Sequence, residues 1–457
     1  MKKWLSLMLG LLLVLTLCAC TGGNKPDPEP APEPAAPPVP VPGSGPEPQK
    51  PEKIWSYAVR TQTYAGEYDA EDGTKLASVS YEYPILVPVD ENGAADSGGD
   101  DTPPQAMLDV CAAFNARTDT PEDYAAMYER LKEIADSNWE AHLENDTFFS
   151  PCSDELRIAD IYQTDAFVSV GSDAWVYWGG AHPDGAKSAV NFDLSQGSFL
   201  ELADLTNDPD GLRAALAKEI IDQAYASEWC DGLFPDFEET IRAKDDFGFC
   251  FGQDGMKVYF SEYEIGPHVI GVPQFTIPYP VVARFMNERA LRLLELPQEV
   301  LILSDFYEAQ EMWYWFEGAV PTVDDDRRTV DDNDFEYSRV NIPGVTTLSG
   351  LRERLLTRFA DSVVNERFSS VGIELFRDID GILYTIPVGR GYDMGVGSVD
   401  YTVELNGTEG CVLAAVSCQD YDELQEDWVL TGETYELRFP FVLHESGAVF
   451  TQFQCIW

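Results

Sequence analysis

Between Asn24 and Lys53 the chain carries twelve prolines: Pro26, Pro28, Pro30, Pro32, Pro34, Pro37, Pro38, Pro40, Pro42, Pro46, Pro48 and Pro51. Proline fixes φ and lacks an amide donor, so this stretch can enter neither a helix interior nor a sheet ladder. The expected form is an extended polyproline spacer rising ~3.1 Å per residue, so that about thirty residues reach on the order of 90 Å. Any core the chain builds must come from the residues that follow.

Before the spacer, Met1-Lys2-Lys3 is a positive start and Leu5 to Leu17 is almost unbroken apolar sequence, ending in Leu17-Cys18-Ala19-Cys20. A charged start, an apolar stretch of roughly 7–15 residues and a small-residue cleavage site make a secretory signal; a membrane span needs ~20 apolar residues. The Leu-x-Ala-Cys ending resembles the bacterial lipobox. That resemblance implies cleavage before Cys20, lipid attachment to Cys20 and display on the outer face of the cytoplasmic membrane, reaching into the cell wall. Residues 1–19 are then a lipoprotein signal peptide and 20–53 a lipidated tether. The plain alternative is a freely secreted chain whose signal happens to end in Cys. A surface address excludes cytosolic metabolism, ATP-dependent chemistry and gene regulation.

About 400 residues remain, enough for two or three domains at roughly 100–200 residues each. Hydrophobic residues make up 44% and aromatics 12% of the chain, which is globular composition. Eighty acidic residues against thirty basic ones leave a formal charge of −50. Such a surface argues against nucleic acid, which needs basic patches. It favours fast, salt-sensitive capture of cationic partners; the plain alternative is solubility alone. Of nine cysteines, Cys18 leaves with the signal and Cys20 takes lipid. No Cys-x-x-Cys pair supports thiol-bound zinc or thioredoxin chemistry. Cys230–Cys250 and Cys411–Cys418 are expected as local disulfides, with buried free thiols as the alternative.

Periodicity predicts strands over 54–64 and 76–89, where "SVSYEYPILVPV" alternates most clearly. Helices follow over 107–118 and 121–143, the second with Thr120 as N-cap and Pro121 in its first turn. Strands at 156–170 and 174–178, a helix over 209–229, a hairpin over 248–261, a strand at 275–279 and one helix over 281–296 complete a first unit, 54–298. A second unit, 299–457, begins with an aromatic helix over 304–318. An acidic loop over 321–334, a strand over 335–342, a long helix over 349–368 and mostly alternating strands follow. Strands and helices do not alternate regularly, so the expected fold class is α+β, in two α+β domains.

In the first unit Trp178-Gly179-Gly180-Ala181-His182 follows a strand, then come Asn191-Phe192-Asp193-Leu194 with Gly197 and Leu202-Ala203-Asp204-Leu205. Further on, Tyr259-Phe260-Ser261-Glu262-Tyr263-Glu264-Ile265-Gly266-Pro267 precedes Phe275-Thr276-Ile277-Pro278-Tyr279. Over residues 54–298 this resembles the extracytoplasmic domain of lysozyme-sensing anti-sigma factors of the RsiV type, also found beside the catalytic part of peptidoglycan deacetylases. The resemblance implies a non-enzymatic α+β module that meets wall components or proteins acting on the wall. The sequence offers no counterpart to the cytoplasmic domain and spanning helix of the anti-sigma pattern, so signalling by cleavage within the membrane is not expected. From the residues themselves, Gly179-Gly180 permits a tight turn and His182 suits hydrogen bonding or proton transfer. Glu262, Tyr263 and Glu264 form either an acidic binding lip or a solvated strand.

The second unit is similar to secreted inhibitors of cell-wall DL-endopeptidases of the IseA type, on "FYEAQEMWYWFEG", the acidic stretch, "YSRVNIPGVTTLSGLRERLLTRFADSVV" and "DGILYTIPVGRG". The resemblance implies that Asp324, Asp325, Asp326, Asp331, Asp332 and Asp334 approach the basic cleft of a hydrolase. The plain reading is a solvated loop. A calcium loop over the oxygen-rich run 331–336 is a third reading, although it lacks the glycine and distal glutamate of an EF-hand; no other cofactor is expected. No Gly-x-Ser-x-Gly elbow, Walker loop or dinucleotide fingerprint occurs. Carboxylate pairs are too many to choose among. The expectation is a non-enzymatic binder of lysozyme or of the cell's own cationic wall hydrolases. Its alternative is a peptidoglycan- or glycan-binding module, with Tyr81, Tyr83, Trp175, Tyr177 and Trp178 as stacking aromatics.

Overall fold

The computed structural model describes residues 54–95, 102–317, 320–329, 335–370, 374–387, 393–422 and 427–456. Cys20 and residues 1–19 lie outside these, as do Asp331, Asp332 and Asp334. Lys53–Trp457 forms one compact unit, and its architecture is mixed α+β.

Alternation in β1 (Trp55–Asp69) and β2 (Lys75–Asp90) starts a six-stranded sheet that continues in chain order through β3 (Cys152–Gln163), β4 (Phe167–Tyr177), β5 (Asp184–Asp193) and β6 (Ser198–Phe199). Only β2 and β3 pair in parallel. A parallel pair needs a crossover, which α1 (Gln105–Thr118) and α2 (Pro121–Asn145) supply. Val79, Tyr81 and Tyr83 point inward along β2, while Ser78, Ser80 and Glu82 take the other face. Tyr124, Tyr128, Leu131, Ala135 and Trp139 of α2 pack on the inward face, three and four residues apart as one helical stripe must be. Gly66 is required beneath them, because a Cβ there would stand 2.6 Å from the Tyr128 ring. Side-chain amides complete the sheet where strands do not. Asn115 accepts from Leu86 N–H at 2.7 Å and donates to Leu86 O at 2.9 Å. Gln163 donates to Tyr57 O at 2.7 Å and accepts from Val59 N–H at 3.3 Å.

A second core joins α3 (Pro209–Tyr225), α4 (Phe237–Ala243), the sheet β7 (Gly248–Phe251), β8 (Gly255–Tyr259) and β9 (Gln274–Pro278), α5 (Tyr279–Ala283) and α6 (Glu288–Leu294). Residues of the Asn191-Phe192-Asp193 motif tie it to the first sheet. Ser169 Oγ donates to Asn191 Oδ1 at 2.7 Å and accepts from Phe251 N–H at 2.8 Å, and Asn191 Nδ2 donates to Phe249 O at 3.1 Å. Asp193 has no exposed side-chain surface and pairs with Arg289 at 2.6 Å. Burial pushes its carboxyl up. Hydrogen bonds from Ser195, Arg289 and the amides of Gln196 and Ser195 outweigh that and hold it below the usual carboxylate range.

A third core contains α7 (Gln298–Tyr314), β10 (Thr322–Thr329), β11 (Glu336–Val340), α8 (Leu348–Leu356), α9 (Asp361–Ser370), β12 (Phe376–Ile379), β13 (Ile382–Thr385) and the meander β14 (Val396–Asn406), β15 (Glu409–Asp422), β16 (Asp427–His444) and β17 (Gly447–Phe450). Phe306 sits among Tyr401, Phe439, Phe450 and Phe453. Arg358 fastens this layer to α7 through Asp305 at 2.8 Å and Glu308 at 2.5 Å.

Sequence-based expectations fail at several places. The strand expected over 156–170 is the end of β3 and the start of β4, with a turn between them, and β5 is not among the expected strands. The helix expected over 281–296 is two helices, because Asn287 caps α6 by accepting from Ala290 N–H at 2.9 Å while its own N–H bonds Leu205 O at 2.9 Å. The helix expected over 349–368 is also two. Phe450 claims the backbone between them, with Ala360 N–H on its carbonyl and its own N–H on Arg358 O. The acidic loop begins as β10, paired with β11. Thr120 makes no side-chain cap. The expected disulfides are absent, and Cys230, Cys250, Cys411 and Cys418 are free. Cys411 and Cys418 both lie on β15; seven residues at ~3.4 Å per residue put them roughly 24 Å apart, far beyond the ~7 Å that a disulfide spans. Cys250 packs instead beneath Gly171, whose added Cβ would lie 2.8 Å from its sulfur.

Candidate functional site

Two loops meet beside the β4–β5 hairpin. The first, residues 178–183, connects those strands. Gly179 has φ +87° and a Cβ there would strike the Asn138 amide, so only glycine fits. Asn138 Nδ2 donates to Trp178 O at 2.8 Å, and Tyr177 OH donates to Gly180 O at 2.9 Å. The second loop, residues 260–273, connects β8 to β9. In it Glu264 turns back, accepting from Ser261 N–H at 2.8 Å and pairing with Lys244. Tyr263 is held at φ +62°, a left-handed conformation that costs an ordinary residue about 1–2 kcal/mol.

Glu262 joins the loops. Its Oε1 accepts from Gly185 N–H at 2.7 Å, its Oε2 lies 3.1 Å from His268 Nδ1, and only 8% of its side chain is exposed. The His268 ring stacks on His182 with centroids 3.8 Å apart, and Tyr263 lies 5.9 Å from His268 on a near-parallel plane. Asp184 Oδ1 lies 3.7 Å from His182 Nδ1. Two carboxylates therefore flank two stacked imidazoles. The lock leaves Trp178, Tyr263 and Val269 facing outward, at 50%, 52% and 87% exposure.

Of the residues singled out in the sequence, Trp178, Gly179, Gly180, His182, Glu262 and Tyr263 converge here. Glu264 instead holds its own loop together. His268 and Asp184 were missed; the pairing of a rare histidine with the run five residues before it was the only hint of the first. The acidic stretch of the second unit lies elsewhere, in the β10–β13 sheet. There Asp326 is engaged by Arg339 at 3.5 Å, Arg328 at 3.8 Å and the Tyr384 hydroxyl at 3.1 Å. Asp324 and Asp325 belong to β10, with side chains outside the described set. Among the described residues no group of three or more His, Cys, Asp or Glu side chains could hold a metal ion. Burial pushes the Cys111 thiol up to about 11 and the Cys250 thiol up to about 12, the reverse of what a nucleophilic thiolate needs. No helix among the described residues is long and apolar enough to cross a membrane.

The profile of a family described as a protein of unknown function (DUF3298) matches residues 203–280, which include Glu262, Tyr263 and His268 but not His182. No curated protein matches the chain. Among solved structures, a DUF3298 family member from Bacteroides fragilis NCTC 9343 is similar at 13% identity and a TM-score of 0.38, over 52% of this chain and 96% of that one. A DUF3298 family protein from Pseudomonas aeruginosa PAO1 is similar at 18% identity and a TM-score of 0.30, over 51% of this chain and 96% of that one.

Proposed function

We propose that the chain is a lipoprotein displayed on the outer face of the cytoplasmic membrane, where it captures cationic wall-active proteins and buffers or inhibits them. Lysozyme and the cell's own wall hydrolases are the partners intended. The observation that carries this reading is the pair of loops locked through Glu262, His268 and His182, which presents Trp178, Tyr263 and Val269 outward on a chain of charge −50. Exposed aromatics on a rigid base suit the anchoring residues of protein interfaces. The surrounding negative charge suits steering of a basic partner. The resemblance of the Trp178–His182 and Tyr259–Tyr279 segments to lysozyme-sensing modules supports the same partner class. Asp326 plays no part in this reading, because its own chain already neutralises it.

The test is the affinity of the full chain for lysozyme and for a papain-like wall hydrolase, with inhibition of each measured in parallel. The double variant Trp178→Ala, Tyr263→Ala is expected to weaken capture by about 2 kcal/mol or more, roughly thirtyfold, with an unchanged unfolding midpoint. Equal capture by the double variant removes the loops from the interface. Capture without inhibition leaves buffering as the activity.

A further inference from the structure

The outward face of the first sheet carries a second feature, on the side away from α2. The strand registers place Ala65, Ser80, Glu155, Trp175 and Gly185 in one row across five strands. Ala65 lies opposite Ser80, Ser80 beside Glu155, Glu155 opposite Trp175, and Trp175 opposite Gly185. Residues directly opposite one another share a face, and four strand spacings of about 4.8 Å make the row about 19 Å long.

At one end is a groove of about 450 Å³ with a floor of Ala65, Ser78 and Ser80 and carboxylates of Glu67 and Glu155 at its sides. At the other end Trp175 lies over Gly185. A Cβ on Gly185 would stand 3.2 Å from the indole and 2.9 Å from Glu262 Oε1, so glycine is what lets the ring lie there. The indole stays 43% exposed. The β7–β9 sheet covers this face at Ser169 and Gly171 of β4 and leaves the half-exposed Trp175 indole, further along the same strand and on the same side, open to solvent.

The chemistry of the row selects among ligands. Glu67 is paired with Lys75 at 2.6 Å, and Asp173, two residues before Trp175 on β4, with Lys187 at 2.5 Å. Their charges are largely answered within the protein, which weakens the case for a basic peptide. Glu155 makes no ion pair among the described residues. What remains is a run of acceptors and hydroxyls, Ser78, Ser80 and Glu155, ending on an aromatic face. A pyranose ring presents one apolar C–H face to stack on an aromatic and a rim of hydroxyl donors for carboxylate and serine oxygens. An anionic glycan would meet unfavourable charge here.

We propose that this row is a binding site for an oligosaccharide of pyranose units bearing no negative charge, laid across the strands with one ring on Trp175. The row adjoins the capture loops at Gly185, whose N–H Glu262 accepts, but it uses other side chains and does not depend on that reading. The test is calorimetry and tryptophan fluorescence of the full chain with tetramers of N-acetylglucosamine and of glucosamine, with a sulfated tetramer and octalysine as comparators. Saturable binding of either uncharged or amino-sugar tetramer is expected. It should weaken at least tenfold in Trp175→Ala and in Ser80→Tyr, which fills the groove from its solvent side, and stay unchanged in the Trp178→Ala, Tyr263→Ala double variant. The proposal is overturned by any of three results: no saturation by either tetramer at millimolar concentration, binding by Trp175→Ala equal to the parent, or preference for the sulfated tetramer or octalysine.

Discussion

At Asp193 the chain buries a carboxylate completely and answers it with Arg289, Ser195 and two backbone amides. Removing one partner of a buried pair typically costs ~3–5 kcal/mol. Arg289 keeps partial solvent contact, so Asp193→Asn is expected to cost less, about 2–3 kcal/mol, read as a lowered urea midpoint at neutral pH. Because the folded carboxyl titrates below its unfolded value, its contribution is complete above the ordinary carboxylate pKa of ~3.9 and is lost as pH falls through the lower folded value. The parent should therefore lose stability more steeply than Asp193→Asn below about pH 4. Parallel acid limbs would show that the pair contributes nothing. Gly255 makes a steric counterpart. A Cβ there would run into the Ile277 carbonyl of the neighbouring strand β9, and backbone cannot yield as a flexible side chain can. Gly255→Ala is expected to destabilise by about 1–3 kcal/mol, a loss that urea unfolding would detect.

At the scale of elements, side-chain hydrogen bonds set boundaries that periodicity does not reveal. The apolar spacing of 281–296 and 349–368 continues across both breaks, so each pair reads as one helix. Asn287 ends the continuity in the first pair by capping α6 and donating its amide to Asp204 O at 2.9 Å. Asn287→Ala removes both bonds and is expected to cost about 1–2 kcal/mol, while Asn287→Asp keeps the cap and loses less. Thermal unfolding of the two variants separates these effects, and an equal loss would deny the cap its role. The first two strands were legible because "SVSYEY" alternates and one face is covered; β5 was not, and the strand expected over 156–170 runs through the turn between β3 and β4. Asn115 and Gln163, which complete the sheet in place of strands, were not legible either: a lone amide has no period. β10 was missed because its Asp-Asp-Asp-Arg-Arg run has a loop's composition, yet it pairs with β11 and Asp326 finds its cations across the sheet.

At the scale of the whole molecule, the site was half legible. Glycines next to an aromatic and a histidine mark a built turn, and they drew attention to His182. Its partner His268 lies 86 positions further along, and nothing local says that the two rings meet. Trp175 was open to a stacking reading from the sequence, but the row that joins it to Ser80 and Glu155 depends on strand register and could not be read there. The ends of the account rest on different residues. If Cys20 carries lipid, Cys20→Ala is expected to move the chain from the membrane fraction to the medium, as fractionation would show, and continued membrane retention would contradict the anchor. Beyond the anchor, the central claim is that a chain of charge −50 captures a basic wall-active protein through exposed aromatics on the locked loops. The most direct measurement is the affinity of the full chain for lysozyme across a salt series from about 0.05 to 0.5 M, where the Debye length falls from roughly 14 to 4 Å. The account predicts saturable binding whose association rate falls steeply with salt while a residual, Trp178- and Tyr263-dependent affinity persists. No saturable binding at low salt, or an affinity indifferent to salt throughout, would contradict it.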